Sequence, residues 1–303
     1  MGTWGEGIYD DDEACDVRDM IRLLSKAPVS GDRILEILLS EFERNEELKE
    51  DGCPTFWIAV ADQFEKKGIS CKKAFEQAKK AIKTGADIED LRNRGMERKG
   101  LENRLRLTKN LLPRFQTPTQ KNQAPITRKP IQNCVKAGQI YTFPTMDGSG
   151  FNAWAPNWMK DTFQPNGWGA LIIIEVGQVF DWFPYCAYTP LVVCPDRKMS
   201  FDEVLKSKTL FSDGVAYCLP QHSHMKKMGM ELLGCIEIDK RQADKITKLS
   251  DRSPRRAVIC EWSICNGAMG ATEKHKGYFE VKELQKKANH CIHADVARPA
   301  QRR

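Results

Sequence analysis

Along the first third of the chain, apolar residues recur every three or four positions, and these stripes predict a run of amphipathic helices. Ala14, Val17, Ile21 and Leu24 share one face, with Asp10, Asp11 and Asp12 placed to cap the helix and complement its positive end. Pro28 ends that helix. Ser30 or Asp32 opens the next, whose face is Ile34, Ile37, Leu38 and Phe42. Cys53-Pro54 starts a third through Trp57, Val60, Ala61 and Phe64, which Gly68 stops. A fourth runs through Cys71, Ala74, Phe75, Ala78 and Ile82 to Gly85, forming an αα-hairpin with the third. A long, highly charged helix over 88–112, with Gly95 and Gly100 as bending points, closes the block. Ahead of all these lies Met1-Gly2-Thr3-Trp4-Gly5-Glu6-Gly7-Ile8-Tyr9. Trp4, Ile8 and Tyr9 offer apolar area and the glycines permit a tight path, so this segment is expected to join the core.

From Pro113 the helical period is lost. Pro113, Pro118, Pro125 and Pro130 fall among Gln, Thr, Asn and Lys, with no acidic residue before Gly138, which predicts an extended tether. Beyond it, short apolar runs at 139–144, 168–176, 179–183, 191–194, 231–239 and 256–264 predict strands. Met146-Asp147-Gly148-Ser149-Gly150 and Val176-Gly177-Gln178 read as turns, and 200–207 and 240–249 as helices. The expected fold class is α+β. An all-helical domain spans 1–112, a Pro-rich basic linker spans 113–136, and a β-rich domain spans 137–303. That last domain is expected to hold a curled antiparallel sheet with a few helices.

A length of 303 residues suits two domains of ordinary size. No apolar run approaches the roughly 20 residues of a membrane span; Ala170-Leu171-Ile172-Ile173-Ile174 is strand length. The start has neither the basic flank nor the apolar stretch of a signal peptide. Eleven scattered cysteines, odd in number and often set in apolar runs, read as reduced core thiols, which implies a cytoplasmic location.

The net charge of +6 conceals a gradient. Residues 1–50 carry 6 basic and 14 acidic side chains, 51–112 carry 14 and 9, and 113–136 carry 5 and none. A basic middle attracts nucleic acid in principle. Here its cations alternate with acids at helical spacing and lack an aromatic stacking platform, so a solvated helix face plus linker is the preferred reading. Nucleic acid is therefore disfavoured as a partner, and no membrane is expected.

Two resemblances add to this. Gly2-Thr3-Trp4-Gly5-x-Gly7-Ile8-Tyr9-x-x-Asp12-x-Ala14-x-Asp16 resembles the MGxWGxGxF opening of a bacterial family of small helical domains of unknown function. It departs at Tyr9, at the acidic residue where asparagine is usual, and at Val17, where the family has tryptophan. The stretch from Phe56-Trp57-Ile58-Ala59 to Gly68 is similar to a segment of related bacterial proteins. Lys136-Ala137-Gly138-Gln139-Ile140-Tyr141-Thr142-Phe143-Pro144, followed by Asp147-Gly148, resembles the opening of the immunity protein 26 family. Gln139 stands there for aspartate, and an aromatic insertion over 151–166 precedes the second strand. That resemblance implies a polymorphic toxin system in which this chain binds and neutralises a cognate toxin protein.

Catalytic and metal motifs are weak. His222-Ser223-His224 and His290-Cys291-Ile292-His293, even joined to Cys260 and Cys265, match no common zinc spacing. The Asp10-Asp11-Asp12 run lacks the glycine and glutamate of a calcium loop. Glu261 beside Trp262 reads either as an acid–base residue or as the polar face of an alternating strand. No cofactor, metal or catalytic residue is assigned, and the chain is expected not to be an enzyme; an uncharacterised hydrolase and a nucleic-acid-associated protein are the alternatives. The aromatics Phe151, Trp154, Trp158, Phe163, Trp168, Trp182, Tyr185 and Tyr188 are the candidate partner-binding residues. They either anchor a protein partner or cover one end of the sheet.

Overall fold

A computed structural model describes residues 3–42, 53–116, 129–150, 162–194, 196–212, 214–266 and 276–286. The chain divides into two units, Met1–Pro130 and Ile131–Arg303.

The first unit holds helices α1 (Asp12–Leu24), α2 (Gly31–Phe42), α3 (Pro54–Lys67), α4 (Lys72–Thr84), α5 (Ala86–Asn93) and α6 (Arg98–Gln116). Asp11 caps α1 by accepting from the Ala14 amide at 3.1 Å, and Ser30 accepts from the Arg33 amide at 3.2 Å. Helix α3 is buried on every side from Pro54 to Glu65, which makes it the centre of the bundle. Gly68 and Gly85, at φ 69° and 75°, end α3 and α4 where the pattern predicts. The expected last helix is two helices broken at Gly95 (φ 88°), and α6 runs past Pro113, which sits inside it.

Several polar groups sunk in this bundle are paired, whereas Glu13 Oε1 and Trp57 Nε1 are buried without a hydrogen-bond partner. Arg104, 1% exposed, donates from Nε and Nη2 to Asp87 at 2.8 and 3.0 Å and from Nη1 to the Gly7 carbonyl at 2.7 Å. Thr55 on α3 donates to the same carboxylate at 3.1 Å. Tyr9, half-buried, donates to Asp62 at 2.6 Å, and burial followed by that carboxylate raises its phenol pKa. Ile8 is buried as expected. Trp4 is not: it is 62% exposed, because the loop is anchored through its backbone and through Tyr9 and leaves the indole outside.

The second unit is an antiparallel sheet covered on both faces. Its strands are β1 (Gln139–Met146), β2 (Ser149–Gly150), β3 (Gly167–Val179), β4 (Phe183–Leu191), β5 (Ala216–Cys218) and β6 (Glu231–Cys235). The order is β2-β1-β3-β4-β5, with β6 also on β1, so β2 and β6 share one edge of that strand. Short helices α7 (Phe201–Val204), α9 (Lys240–Thr247), α10 (Pro254–Ile259) and α11 (Val281–Leu284) send Val204, Ile246, Ala257 and Leu284 onto one face, against Ile140, Ile172 and Ile174. Helix α8 (His222–Lys227) and a 3-10 turn at Ile264–Asn266 cover the other, with Met225 and Ile264 against Phe143, Leu171 and Tyr188. Each fully buried side chain of this size stabilises the unit by about 1.5–3 kcal/mol.

Four expectations are corrected. The 256–264 run is α10 and the 3-10 turn, because Ser253 caps a helix with Pro254 in its first turn. Glu261 follows that helix at φ 48° and lies on no strand. Val176-Gly177-Gln178 continues β3; Gly177 is there because a Cβ would meet the Tyr185 ring at 2.6 Å. The tether is narrower than 113–136: α6 extends to Gln116, while Ile131 donates to the Trp182 carbonyl and Val135 is buried in the second unit.

Two outcomes are expected for the first unit. Arg104→Ala leaves the buried Asp87 carboxylate without its cation, with Thr55 still donating to it, and lowers stability by about 3–5 kcal/mol, read from the urea midpoint. Glu13 has a buried oxygen without a hydrogen-bond partner, and burial, with Asp11, Asp90 and Asp16 adding to it against Arg94, lifts its pKa from 4.5 to about 7. The folded value exceeds the unfolded one, so this stability is fully present below the unfolded value and is lost as pH rises through the folded one. Glu13→Gln therefore raises Tm at about pH 8 and leaves it unchanged at about pH 4.

Candidate functional site

Strand β1 turns into β2 through Asp147 and Gly148, both with positive φ (51° and 81°), the pair a tight two-residue hairpin demands. Asn166 locks this turn: its Oδ1 accepts from the Asp147 amide at 2.9 Å and its Nδ2 donates to Asp147 Oδ1 at 2.8 Å. The insertion thus leaves and rejoins the sheet on opposite sides of Thr145, which pairs with both Gly150 and Gly167. Phe151, Trp154 and Trp158 of the predicted aromatic set lie outside the described residues. Phe163 is half-buried at the returning end.

Trp168 opens β3 opposite Pro144 and is half-buried. The Lys198 ammonium lies 5.4 Å from its ring centroid and also pairs with Glu231 at the head of β6. Such a cation over an indole is worth about 0.5–1 kcal/mol at an exposed site. Leu232 follows and is 54% exposed, the Cys235 side chain is exposed, and β6 pairs with β1 alone among the described strands. Its outer edge therefore presents backbone donors and acceptors beside an apolar side chain. Immediately downstream the same edge is occupied: Lys286 donates to the Glu237 carbonyl and Asp239 to the Leu284 carbonyl, both at 2.8 Å. Among the described residues, the stretch left unpaired is the five residues of β6.

Trp182, Tyr185 and Tyr188 do not join this patch. Tyr185 lies opposite Gly177, nine residues along β3 from Trp168, a distance of about 30 Å for an extended strand. There Tyr185 donates to Glu175 at 2.5 Å and packs on the core, while burial and then that carboxylate raise its phenol pKa. Trp182 is half-buried, its indole nitrogen enclosed without a hydrogen-bond partner. Tyr188, 1% exposed, is a core residue and not a surface anchor: it sits in the middle of β4 facing Leu171 and Ile264. Lys198, Glu231 and Leu232 carry no motif. The one signal in the sequence is the adjacent pair Leu232-Leu233, since neighbours on a strand face opposite sides and an edge strand exposes one of them.

Among the described residues, histidine and nucleophile converge in one place. The Ser263 hydroxyl is 2.7 Å from His224 Nδ1, and the Cys265 amide donates to that hydroxyl at 3.3 Å. Ser263 is 1% and His224 5% exposed, and burial lowers the His224 pKa. An oxygen so enclosed cannot meet a substrate; the contact ties α8 to the 3-10 turn. His290 and His293 lie outside the described residues. Among the described residues no group of three or more His, Cys, Asp or Glu side chains is placed to hold a metal ion. In the basic helices, Lys66 pairs with Asp62 at 2.6 Å and Arg98 with Glu102 at 2.9 Å, so these cations are partly neutralised in place. No helix of the described residues is long and apolar enough to cross a membrane.

Comparison with protein-family models, curated proteins and solved structures finds no match to this chain.

The position of β6 depends on Gly234, where an added Cβ would stand 2.4 Å from the Phe201 ring. Gly234→Ala is expected to destabilise the second unit by about 1–3 kcal/mol, measured as a lower urea midpoint, with faster amide exchange along β6 than along β3.

Proposed function

We propose that this chain is an immunity-type protein of a bacterial toxin system, acting by stoichiometric capture of a cognate toxin and catalysing nothing. The observation that carries the reading is the edge of β6 left open among the described residues, with Leu232 exposed on one face of the strand and the Trp168–Lys198–Glu231 cluster on the other. An edge strand of this kind accepts an extended segment of a partner through main-chain hydrogen bonds, while neighbouring side chains set specificity. The resemblance of 136–148 to the immunity protein 26 family supports the same reading, because it covers the strand on which β6 is built. Occlusion needs shape and anchors, and a buried serine–histidine contact is compatible with it.

The test is co-expression with the product of the adjacent reading frame, scored by growth rescue and co-purification. Leu232→Arg is expected to weaken capture at least about tenfold, equal to ~1.4 kcal/mol. Leu249→Arg, at an exposed leucine beyond α9, is expected to leave it unchanged. Absence of rescue and of capture, together with salt-sensitive binding of DNA or RNA, would overturn the reading.

A further inference from the structure

Cys186 on β4 and Cys218 on β5 are directly opposed in the ladder, and their sulfurs are 3.3 Å apart. Both residues are 0% exposed. Residues opposed across antiparallel strands hold their Cβ atoms about 4.5–5.5 Å apart, and a disulfide needs about 3.5–4.5 Å with sulfurs at about 2.05 Å. Closing the bond therefore takes a small approach of two neighbouring strands and no change of register. One of those strands, β5, has only three residues and lies at the end of the sheet order, so it is the element best able to shift. Cys265, buried, and Cys134, half-buried, belong to the same apolar cluster, which makes the site a group of thiols with one pair in contact.

We propose that Cys186 and Cys218 form a reversible redox pair, oxidised to an intramolecular disulfide by a peroxide. The oxidant must be small and uncharged, because the sulfurs have no accessible surface. One sulfur attacks a peroxide oxygen; the O–O bond breaks, a sulfenic acid forms and the first water leaves. The second sulfur then attacks the sulfenic sulfur; the S–S bond forms, the S–O bond breaks and the second water leaves. Two thiols give up two electrons and two protons, and one hydrogen peroxide becomes two waters. A dithiol such as dithiothreitol reverses the outcome by exchange.

The test uses the full chain treated with hydrogen peroxide, alkylated, cleaved with trypsin and mapped by mass spectrometry without reductant. Lys198, Lys206 and Lys208 lie between the two cysteines, so cleavage separates them. The expected product is a joined pair of peptides, lighter by two hydrogen atoms than the reduced pair and resolved by dithiothreitol. Oxidised protein is also expected to show a higher urea midpoint that reductant reverses, and the C186A/C218A variant to show no such shift. The exposed Cys235 serves as an internal standard. If both thiols remain alkylatable on unfolding after a dose that oxidises Cys235 completely, the proposal fails. Recovery of Cys218 joined to Cys134 or Cys265 in place of Cys186 would overturn it equally.

Discussion

Strand β1 hydrogen-bonds along both of its edges, and the architecture of the second unit follows from that. Buried peptide groups must find partners, and β1 finds them in β3 on one side and in β6 and β2, end to end, on the other. Its first residue is reached through Gly138 at φ 84°, where a side chain would stand 1.8 Å from the Ile236 carbonyl. That contact holds the chain after β6 against the start of β1, with Ile236 donating to the Gly138 carbonyl at 3.0 Å. The same pairing places the β1–β2 turn, both stems of the aromatic insertion and the opening of β3 at one end of the sheet. Trp168, Lys198 and Glu231 meet because three strands are in register there.

The helical unit is held by a different means. Its centre, α3, is apolar enough to be buried on all sides, yet it carries Thr55, Asp62 and Gln63 inward. Each is answered by a specific donor or acceptor, and Thr55 joins the bidentate Arg104–Asp87 pair. A buried pair of this kind adds little net stability over a well-packed apolar substitute, but breaking it is expensive. What it contributes is definition. Arg104 also holds the Gly7 carbonyl, so the N-terminal loop has one place to lie against α6.

Much of this was legible from local pattern. The first four helices follow their apolar stripes, and α3 and α4 stop at glycines whose positive φ no other residue adopts as readily. The α+β division is visible in the change of period at Pro113. What local pattern missed has a tertiary cause in each instance. Pro184 and Pro190 hide β4 from a propensity reading, although the strand is nearly continuous in burial. Gly177 mimics a turn but makes room for an aromatic ring on the neighbouring strand. Trp4 shows that a large aromatic is not buried merely because it is apolar. The aromatic set suffered most, because sequence proximity does not distinguish the two ends of a long hairpin. Trp168 and Tyr185 belong to opposite ends of the β3–β4 hairpin, and Tyr188 to the middle of β4.

An open sheet edge invites unwanted pairing as readily as wanted pairing, so its surroundings must limit what can add to it. Three features do so here. The edge is short, since the segment at 284–286 already occupies its continuation. A register shift between Ile140 and Tyr141 twists β6 away from a flat template. Ion pairs bracket the stretch, Lys198–Glu231 at its head and Lys286–Glu237 just past its end. Between these charged posts, about 20 Å apart along an extended chain, Leu232 is the one strongly exposed apolar side chain of the strand. An added strand longer than the gap collides with 284–286. One shifted by a single residue turns its apolar face away from Leu232. In the proposed capture, length and register are thus set by the edge before any side chain of a partner is read, and such selectivity is what separates a recognition edge from an aggregation edge.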